Sequence, residues 1–268
     1  MDLTNRSTLT EVLKKHNLWA KKRFGQNFLT NRGILEKIIK TGEIKKTDHV
    51  IEVGPGLGTL TLELEKYAKR VTAIEADKYL IPILKEHLKK AKIVHMDALK
   101  FTPPATKYKV IANIPYNITS PLLTHFLTAK KRPEKIVFLV QKEVAEKICA
   151  KEGNLNVLAI NVQIFGKPRI VAKVSPGSFH PAPKVDSAIL EIKVFEKPLV
   201  EDFENFIKIV KAGFSQKRKK LINSLSSSLK IPTKELEGIL GKYKDKRAQA
   251  LSITDWTTLL KPLRTFDT

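Results

Sequence analysis

Between His49 and Ala150 the chain sets five short β-rich runs between helical stretches, and few folds accept that order. His49–Val53, Arg70–Glu75, Lys92–His95, Lys109–Ala112 and Lys135–Leu139 read as strands. They are short and rich in valine and isoleucine, which suit a pleated, half-buried surface. Thr59–Tyr67, Tyr79–Leu88, Pro121–Ala129 and Glu143–Ala150 read as helices. Such alternation predicts an α/β domain, a parallel sheet with helices on both faces. A short helical pattern precedes it, with Leu9, Val12 and Leu13 on one face.

Further along, Asn156–Phe165 fits a helix better than a strand. Arg169–Val174 and Ser187–Phe195 read as strands joined by the proline-rich loop Pro176–Pro183, a hairpin that closes the sheet. After Lys197-Pro198 the β signal stops. Phe203–Phe214, Arg218–Leu229, Lys234–Leu240 and Thr254–Leu260 are helical, and the serines of 224–228 fall inside one of these helices. The expected division is an α/β domain over residues 1–197 and a small all-helical domain over 198–268.

The first strand runs into Ile51-Glu52-Val53-Gly54-Pro55-Gly56-Leu57-Gly58, which opens the next helix. Glycines at Gly54 and Gly56 allow a tight turn and a close approach of ligand to backbone, and the helix N-terminus adds free N–H groups. Glu75 ends the second strand, where a carboxylate can accept both ribose hydroxyls of an adenosine-containing cofactor. Dinucleotide sites place a third glycine five residues after the first, but here that residue is Thr59. Nothing else in the chain suggests hydride transfer. With Glu52 and Pro55 in the loop, the pattern looks like the S-adenosylmethionine version. Asp97, after the third strand, can accept the amino group of the cofactor's adenine; its competing role is a helix N-cap.

Asn113-Ile114-Pro115-Tyr116 follows the fourth strand, at the carboxyl edge where open α/β sheets bind ligands. An adenine amino nitrogen is a poor nucleophile because its lone pair is delocalised into the ring. The Asn113 side-chain oxygen and the Ile114 carbonyl can accept its two N–H bonds and favour a pyramidal nitrogen. Pro115 stiffens the backbone, and Tyr116 offers a face for base stacking, worth roughly 1–3 kcal/mol. Such a base must be unpaired or flipped out of its helix. Standing alone, the segment would read as a plain turn.

Charge narrows the choice of partner. The 268 residues carry 49 lysines and arginines against 27 aspartates and glutamates, a net +22. An excess of that size attracts polyanions. A lysine-rich chain with solvated helix faces is the bland account. Lys21-Lys22-Arg23 and Lys217-Arg218-Lys219-Lys220 are the densest basic clusters and the candidates for phosphate contact. No apolar run approaches the roughly 20 residues of a membrane span, and no strongly amphipathic basic helix suggests a membrane surface. One cysteine, Cys149, excludes an internal disulfide and fits a cytoplasmic setting. The six histidines show no metal-site spacing. Nothing in the chain signals an oligomer, and a monomer is expected.

Taken together, these motifs resemble the ribosomal RNA adenine N6-dimethyltransferases of the small-subunit type. The resemblance runs from about Lys21 to Leu260. It rests on Lys22–Leu29, Glu52–Gly58, Asn113–Asn117, Gln141–Val144, Pro181–Ser187 and Phe214–Lys219. Ile114 stands where leucine is more usual. The resemblance implies a class I, Rossmann-like methyltransferase sheet that uses S-adenosyl-L-methionine, with an RNA-binding helical C-terminal domain. It implies that Asn27 and Leu29 contact the cofactor, with Gly54 at its methionine end, Glu75 at the ribose and Asp97 at the adenine. Asn113 borders the cofactor and the target amine, while Tyr116 and Phe179 stack on opposite faces of the target base. It further implies two methyl groups on each of two adjacent adenines near the 3′ end of small-subunit (16S) ribosomal RNA, within an immature small subunit. Large-subunit methylases of the antibiotic-resistance type share the loop and the turn. A non-catalytic assembly factor and a DNA adenine methylase are the more distant alternatives. His180 falls beside Phe179 with an RNA contact or a structural role open to it. Trp19 and Trp256 read as packing residues, and Cys149 as a buried helix residue.

Overall fold

A computed structural model describes residues 2–19 and 26–263. The chain divides into two compact units, Met1–Ala145 with Pro168–Val194, and Glu146–Lys167 with Phe195–Thr268. The break expected near residue 197 lies close to the last of these crossings. The segment Glu146–Lys167, assigned from sequence to the first domain, groups with the second unit instead. Its contacts explain this: the Phe165 ring packs 5.3 Å from Phe203, and Leu199 N–H donates to the Ile164 carbonyl at 2.9 Å.

The first unit begins with α1 (Arg6–Lys15), the two-residue strand β1 (Phe28–Leu29) and α2 (Arg32–Gly42). The alternating core follows as β2 (His49–Val53), α3 (Thr59–Tyr67), β3 (Arg70–Glu75), α4 (Ile81–His87), β4 (Lys92–His95), β5 (Lys109–Asn113), α5 (Thr119–Leu127), β6 (Lys135–Gln141) and α6 (Lys142–Ile148). After α7 (Val157–Gln163) come β7 (Gly166–Val174), the two-residue β8 (Phe179–His180) and β9 (Ser187–Val194). The main sheet has the order β4-β3-β2-β5-β6-β9-β7. Strands β2 to β6 pair in parallel, and β9 runs antiparallel to β6 with Gln141 opposite Ser187. The two late strands are neighbours, as the hairpin reading required, and β7 forms the edge.

Sequence patterning missed α2. Its signals are Asn31, whose side chain accepts the Ile34 N–H at 3.1 Å as an N-cap, and the buried Leu35 and Ile38 one turn apart. The helix packs its apolar stripe on Val50, Ile111, Val137, Leu139 and Ile189. Two lysines buried on neighbouring strands meet its C-terminal end. Lys109 Nζ donates to the Glu43 carbonyl at 2.6 Å and pairs with Asp48 at 2.8 Å. Lys135 Nζ donates to the Thr41 carbonyl at 3.1 Å and pairs with Glu43 at 2.7 Å and Glu191 at 2.9 Å. Cations there satisfy the last carbonyls and complement the helix dipole.

In the second unit, α8 (Phe203–Phe214), α9 (Leu221–Leu229), α10 (Thr233–Leu240) and α11 (Ile253–Leu263) pack around a fully buried Trp256. Its ring stacks on Phe214 at 5.7 Å, which agrees with its reading as a packing residue. Helix α9 starts at Leu221 rather than Arg218, because a run of cations opposes the positive end of a helix. No helix among the described residues is long and apolar enough to cross a membrane.

Candidate active site

Strand order locates the cleft. From β2 the chain steps outward to β3 and β4; from β5 it steps the other way to β6. The crevice at the carboxyl ends of β2 and β5 is therefore a topological switch point, where open α/β sheets bind ligands. The register pairs Ile51 with Val110, and its continuation sets Gly54 opposite Asn113. A cleft opens here, walled by the apolar side chains of Phe28, Leu29, Leu60, Ile74 and Met96 and by the polar groups of Asn27, Glu75, Asp97 and Asn113.

The glycine loop forms one wall. Gly54 and Gly56 have φ of +66° and +61°, a region that L side chains adopt at a cost. A Cβ at Gly56 would also meet the Phe28 ring at 3.1 Å, and one at Gly54 would lie 3.5 Å from Pro115 Cδ. Glycine thus keeps backbone, rather than side chain, exposed to the cleft. Glu75 sits behind the loop, with Oε2 accepting the Gly56 N–H at 3.2 Å and Oε1 the Asp77 N–H at 2.8 Å. Burial pushes its carboxyl up to about 7, against the pull of those bonds. Sequence reasoning passed over the chemistry of Glu52, which also lines the cleft and is 1% exposed. Burial pushes it up to about 8 against the opposing pull of Thr61, and Oε2 is buried with no hydrogen-bond partner among the described residues. Asp97 takes the capping role weighed against it, its Oδ1 accepting the Leu99 N–H at 3.0 Å. It lines the cleft as well, so the cap does not remove it from the cleft wall.

The Asn113–Tyr116 segment forms the facing wall. Asn113 Nδ2 donates to the Asn27 carbonyl at 3.0 Å. That bond orients the amide, committing its nitrogen to the N-terminal segment and leaving its oxygen as the acceptor. Ile114 is buried, so its side chain anchors the turn. Tyr116 is partly buried, with its hydroxyl 2.6 Å from Ser187 Oγ. The remaining wall is the N-terminal segment, where β1 pairs antiparallel with β8, Leu29 opposite Phe179 and Phe28 opposite His180. Arg6 ties the same loop down by donating to the Gly177 carbonyl at 2.8 Å, and Gln26 donates to Asp77 at 3.2 Å. Gln26 was also missed; its signal was its place in the Gly25–Leu29 string.

The structure thus gathers Asn27, Leu29, Gly54, Gly56, Glu75, Asp97, Asn113, Ile114 and Tyr116 around one cleft. Phe179 is a correction. It is fully buried in the core with Leu29, Val174 and Ile189, so it offers no face to a base. The cause is its position in β8, where pairing with β1 turns its side chain inward. His180 beside it is half-buried. Trp19 is a second correction, being 77% exposed rather than packed. Cys149 is half-buried and lies just beyond α6. Lys217, Arg218 and Lys219 are exposed on the loop before α9, while Lys220 pairs with Asp245 at 2.7 Å. Lys21, Lys22 and Arg23 lie outside the described residues.

Comparison with known proteins identifies the family. The model of the family described as ribosomal RNA adenine dimethylase matches residues 17–264. A protein of Dehalococcoides mccartyi named ribosomal RNA small subunit methyltransferase A is 41% identical over 262 residues, covering 93% of this chain and 90% of the relative. A protein of the same name from Clostridium botulinum is 39% identical, covering 93% and 96%. Among solved structures, a dimethyladenosine transferase from Plasmodium falciparum superposes with a TM-score of 0.81 at 31% identity, covering 89% of this chain and 98% of that one. The 23S rRNA methyltransferase ErmE superposes at 0.70 with 30% identity, covering 89% and 100%. With a matching model over nearly its whole length and relatives at this identity, the chain belongs to the ribosomal RNA adenine dimethylase family.

Proposed function

We propose that the protein dimethylates the N6 amino groups of two adjacent adenines near the 3′ end of small-subunit ribosomal RNA, in an immature small subunit, using S-adenosylmethionine. The observation that carries this reading is the abutment of two unlike walls at the switch point. A glycine loop backed by Glu75 faces an Asn-Ile-Pro-Tyr turn, and a Cβ on Gly54 would lie only 3.9 Å from the Asn113 carbonyl oxygen. The names of the relatives from Dehalococcoides mccartyi and Clostridium botulinum favour the small subunit over the large.

The donor set fits the cofactor. Each Glu75 oxygen accepts one backbone N–H and retains a lone pair for a ribose hydroxyl. Asp97 spends Oδ1 on its cap and can turn Oδ2 to an adenine amino group. The bare backbone of Gly54 and Gly56 admits the methionine end, and Asn27 and Leu29 close over it. When bound, S-adenosylmethionine supplies a methyl group on a positively charged sulfur, an electrophile that needs no metal.

The remaining work is positioning of the target base. The Asn113 oxygen and the Ile114 carbonyl accept the two N–H bonds of the amine. Drawing those hydrogens out of the ring plane restores lone-pair density to nitrogen. Tyr116 holds one face of the adenine. The exposed Lys217, Arg218 and Lys219 supply phosphate contacts from the helical unit, and Lys21–Arg23 are assigned the same role.

The test is incubation with labelled S-adenosylmethionine and unmethylated small subunits, followed by nucleoside analysis, with large subunits and duplex DNA as controls. Dimethyladenosine should appear in small subunits alone. Asn113→Ala should lower its yield by two orders of magnitude or so, since positioned groups of this kind contribute about 10²–10³-fold. Label confined to large subunits would move the chain to the branch of ErmE. No label, with cofactor binding intact, would indicate an assembly factor.

A further inference from the structure

Tyr116 is held at both ends. Its carbonyl accepts the Thr119 hydroxyl at 3.1 Å. Its phenol oxygen lies 2.6 Å from Ser187 Oγ, across 71 residues of sequence. Ser187 is the first residue of β9, hydrogen-bonded into the sheet opposite Gln141, and it is completely buried. A serine hydroxyl sealed from water requires a partner, and alanine would fill the same space if packing were all that mattered. The loop Pro181–Asp186 just before it is largely exposed, so this serine is the point where a solvent-facing loop enters the rigid sheet.

We infer that Ser187 is a positioning residue for the methylation reaction, fixing the plane of the Tyr116 ring so that one face stays presented to the target base. This rests on the reading of Tyr116 as the stacking platform. A phenyl ring tethered only at its Cβ rotates about two torsions, whose terminal one is broad. A hydrogen bond from the tip to a strand residue removes that freedom before the base arrives, so the ring need not be ordered during binding. Burial raises the Tyr116 hydroxyl above its ordinary range despite the bond to Ser187, which keeps it a neutral phenol able to make this bond at any working pH. With Phe179 sealed in the core, the cleft has no second aromatic wall from that residue to correct a misplaced ring.

The test is a double-mutant cycle in the intact protein acting on small subunits. Tyr116→Phe keeps the ring and removes the hydroxyl; Ser187→Ala removes the other half of the bond. Each single variant should lower kcat by roughly 10-fold, the size expected when one positioning hydrogen bond is removed. The double variant should be no worse than either single. KM for S-adenosylmethionine should stay within about twofold, and Ser187→Thr, which restores a hydroxyl, should recover most of kcat. Titration of S-adenosylmethionine onto each variant checks that it is folded. Full activity in Ser187→Ala, or losses that multiply in the double variant, would overturn the inference. So would a loss in Ser187→Ala that appears as weaker cofactor binding with unchanged kcat. If the unaltered protein made no dimethyladenosine at all, the failure would lie with the reading of the whole site.

Discussion

At the scale of single residues, the two buried glutamates beside the cleft set the pH behaviour. Glu52 and Glu75 are held near 8 and 7 by burial, above the 4.5 of an ordinary glutamate. The folded chain therefore binds more protons than the unfolded one between about 4.5 and 8. Stability contributed by these groups is intact below that window and falls as pH rises through it. Glu52→Gln keeps the shape and discards the charge. Its melting temperature should match that of the unaltered protein near pH 4.5 and exceed it at pH 8.5. The gain corresponds to a few kcal/mol at most, and a chain of this size shifts roughly 2–4 °C per kcal/mol. Thermal melts across that range decide it; parallel curves would show that Glu52 is not the group titrating. Position at the cleft was legible in the sequence where a motif fixes backbone geometry, as at Gly54, Gly56 and Asn113. Sequence reading failed for the burial of Phe179, Trp19 and Glu52. Burial there is decided by what packs from distant segments, and residue type alone does not reveal it.

At the scale of elements, the ion network under α2 can be tested directly. Glu191 is wholly buried on β9. Burial pushes its carboxyl up, but hydrogen bonds from Arg169 and Lys135 outweigh this and hold it below the ordinary range. Lys135→Met would leave Glu191 to Arg169 alone and the Thr41 carbonyl at the end of α2 without its cation. Removing one member of a buried pair costs about 3–5 kcal/mol when the other is left uncompensated, and the remaining Arg169 bond puts the loss toward the lower end of that range. Denaturant unfolding should show a loss of this order, and a loss below about 1 kcal/mol would mean that water replaces the lysine. The boundaries of β2 to β6 were legible to within a residue or two because β2, β3 and β5 are dense in valine and isoleucine, while β7 begins three residues before the expected Arg169. Helix α2 went unread although Asn31, Leu35 and Ile38 announce it. The pairing of β1 with β8 left no trace in local patterning, since two-residue strands have no period to detect.

For the whole molecule, a net charge of +22 makes association with ribosomal RNA depend on salt. Each phosphate neutralised in a duplex steepens the plot of log affinity against log salt by about 0.9. Replacing Lys217, Arg218 and Lys219 together by glutamine should weaken small-subunit binding and flatten that slope by roughly one unit for each phosphate no longer neutralised. Lys220→Gln should change it less, because Asp245 already engages that charge. An unchanged slope in the triple variant would remove this loop from the RNA-binding surface.

The cleft is also assembled out of order. Its walls come from residues 26–29, 52–60, 74–76, 96–98 and 113–118, while the pairing that holds the first wall waits for Phe179 and His180. The bond that steadies Tyr116 waits for Ser187. A chain made from its N-terminus onward therefore cannot pair the Phe28–Leu29 segment as a strand until β8 has emerged. A truncated or stalled product ending before β8 carries the glycine loop and the Asn113 turn, yet lacks the clasp that makes them one site.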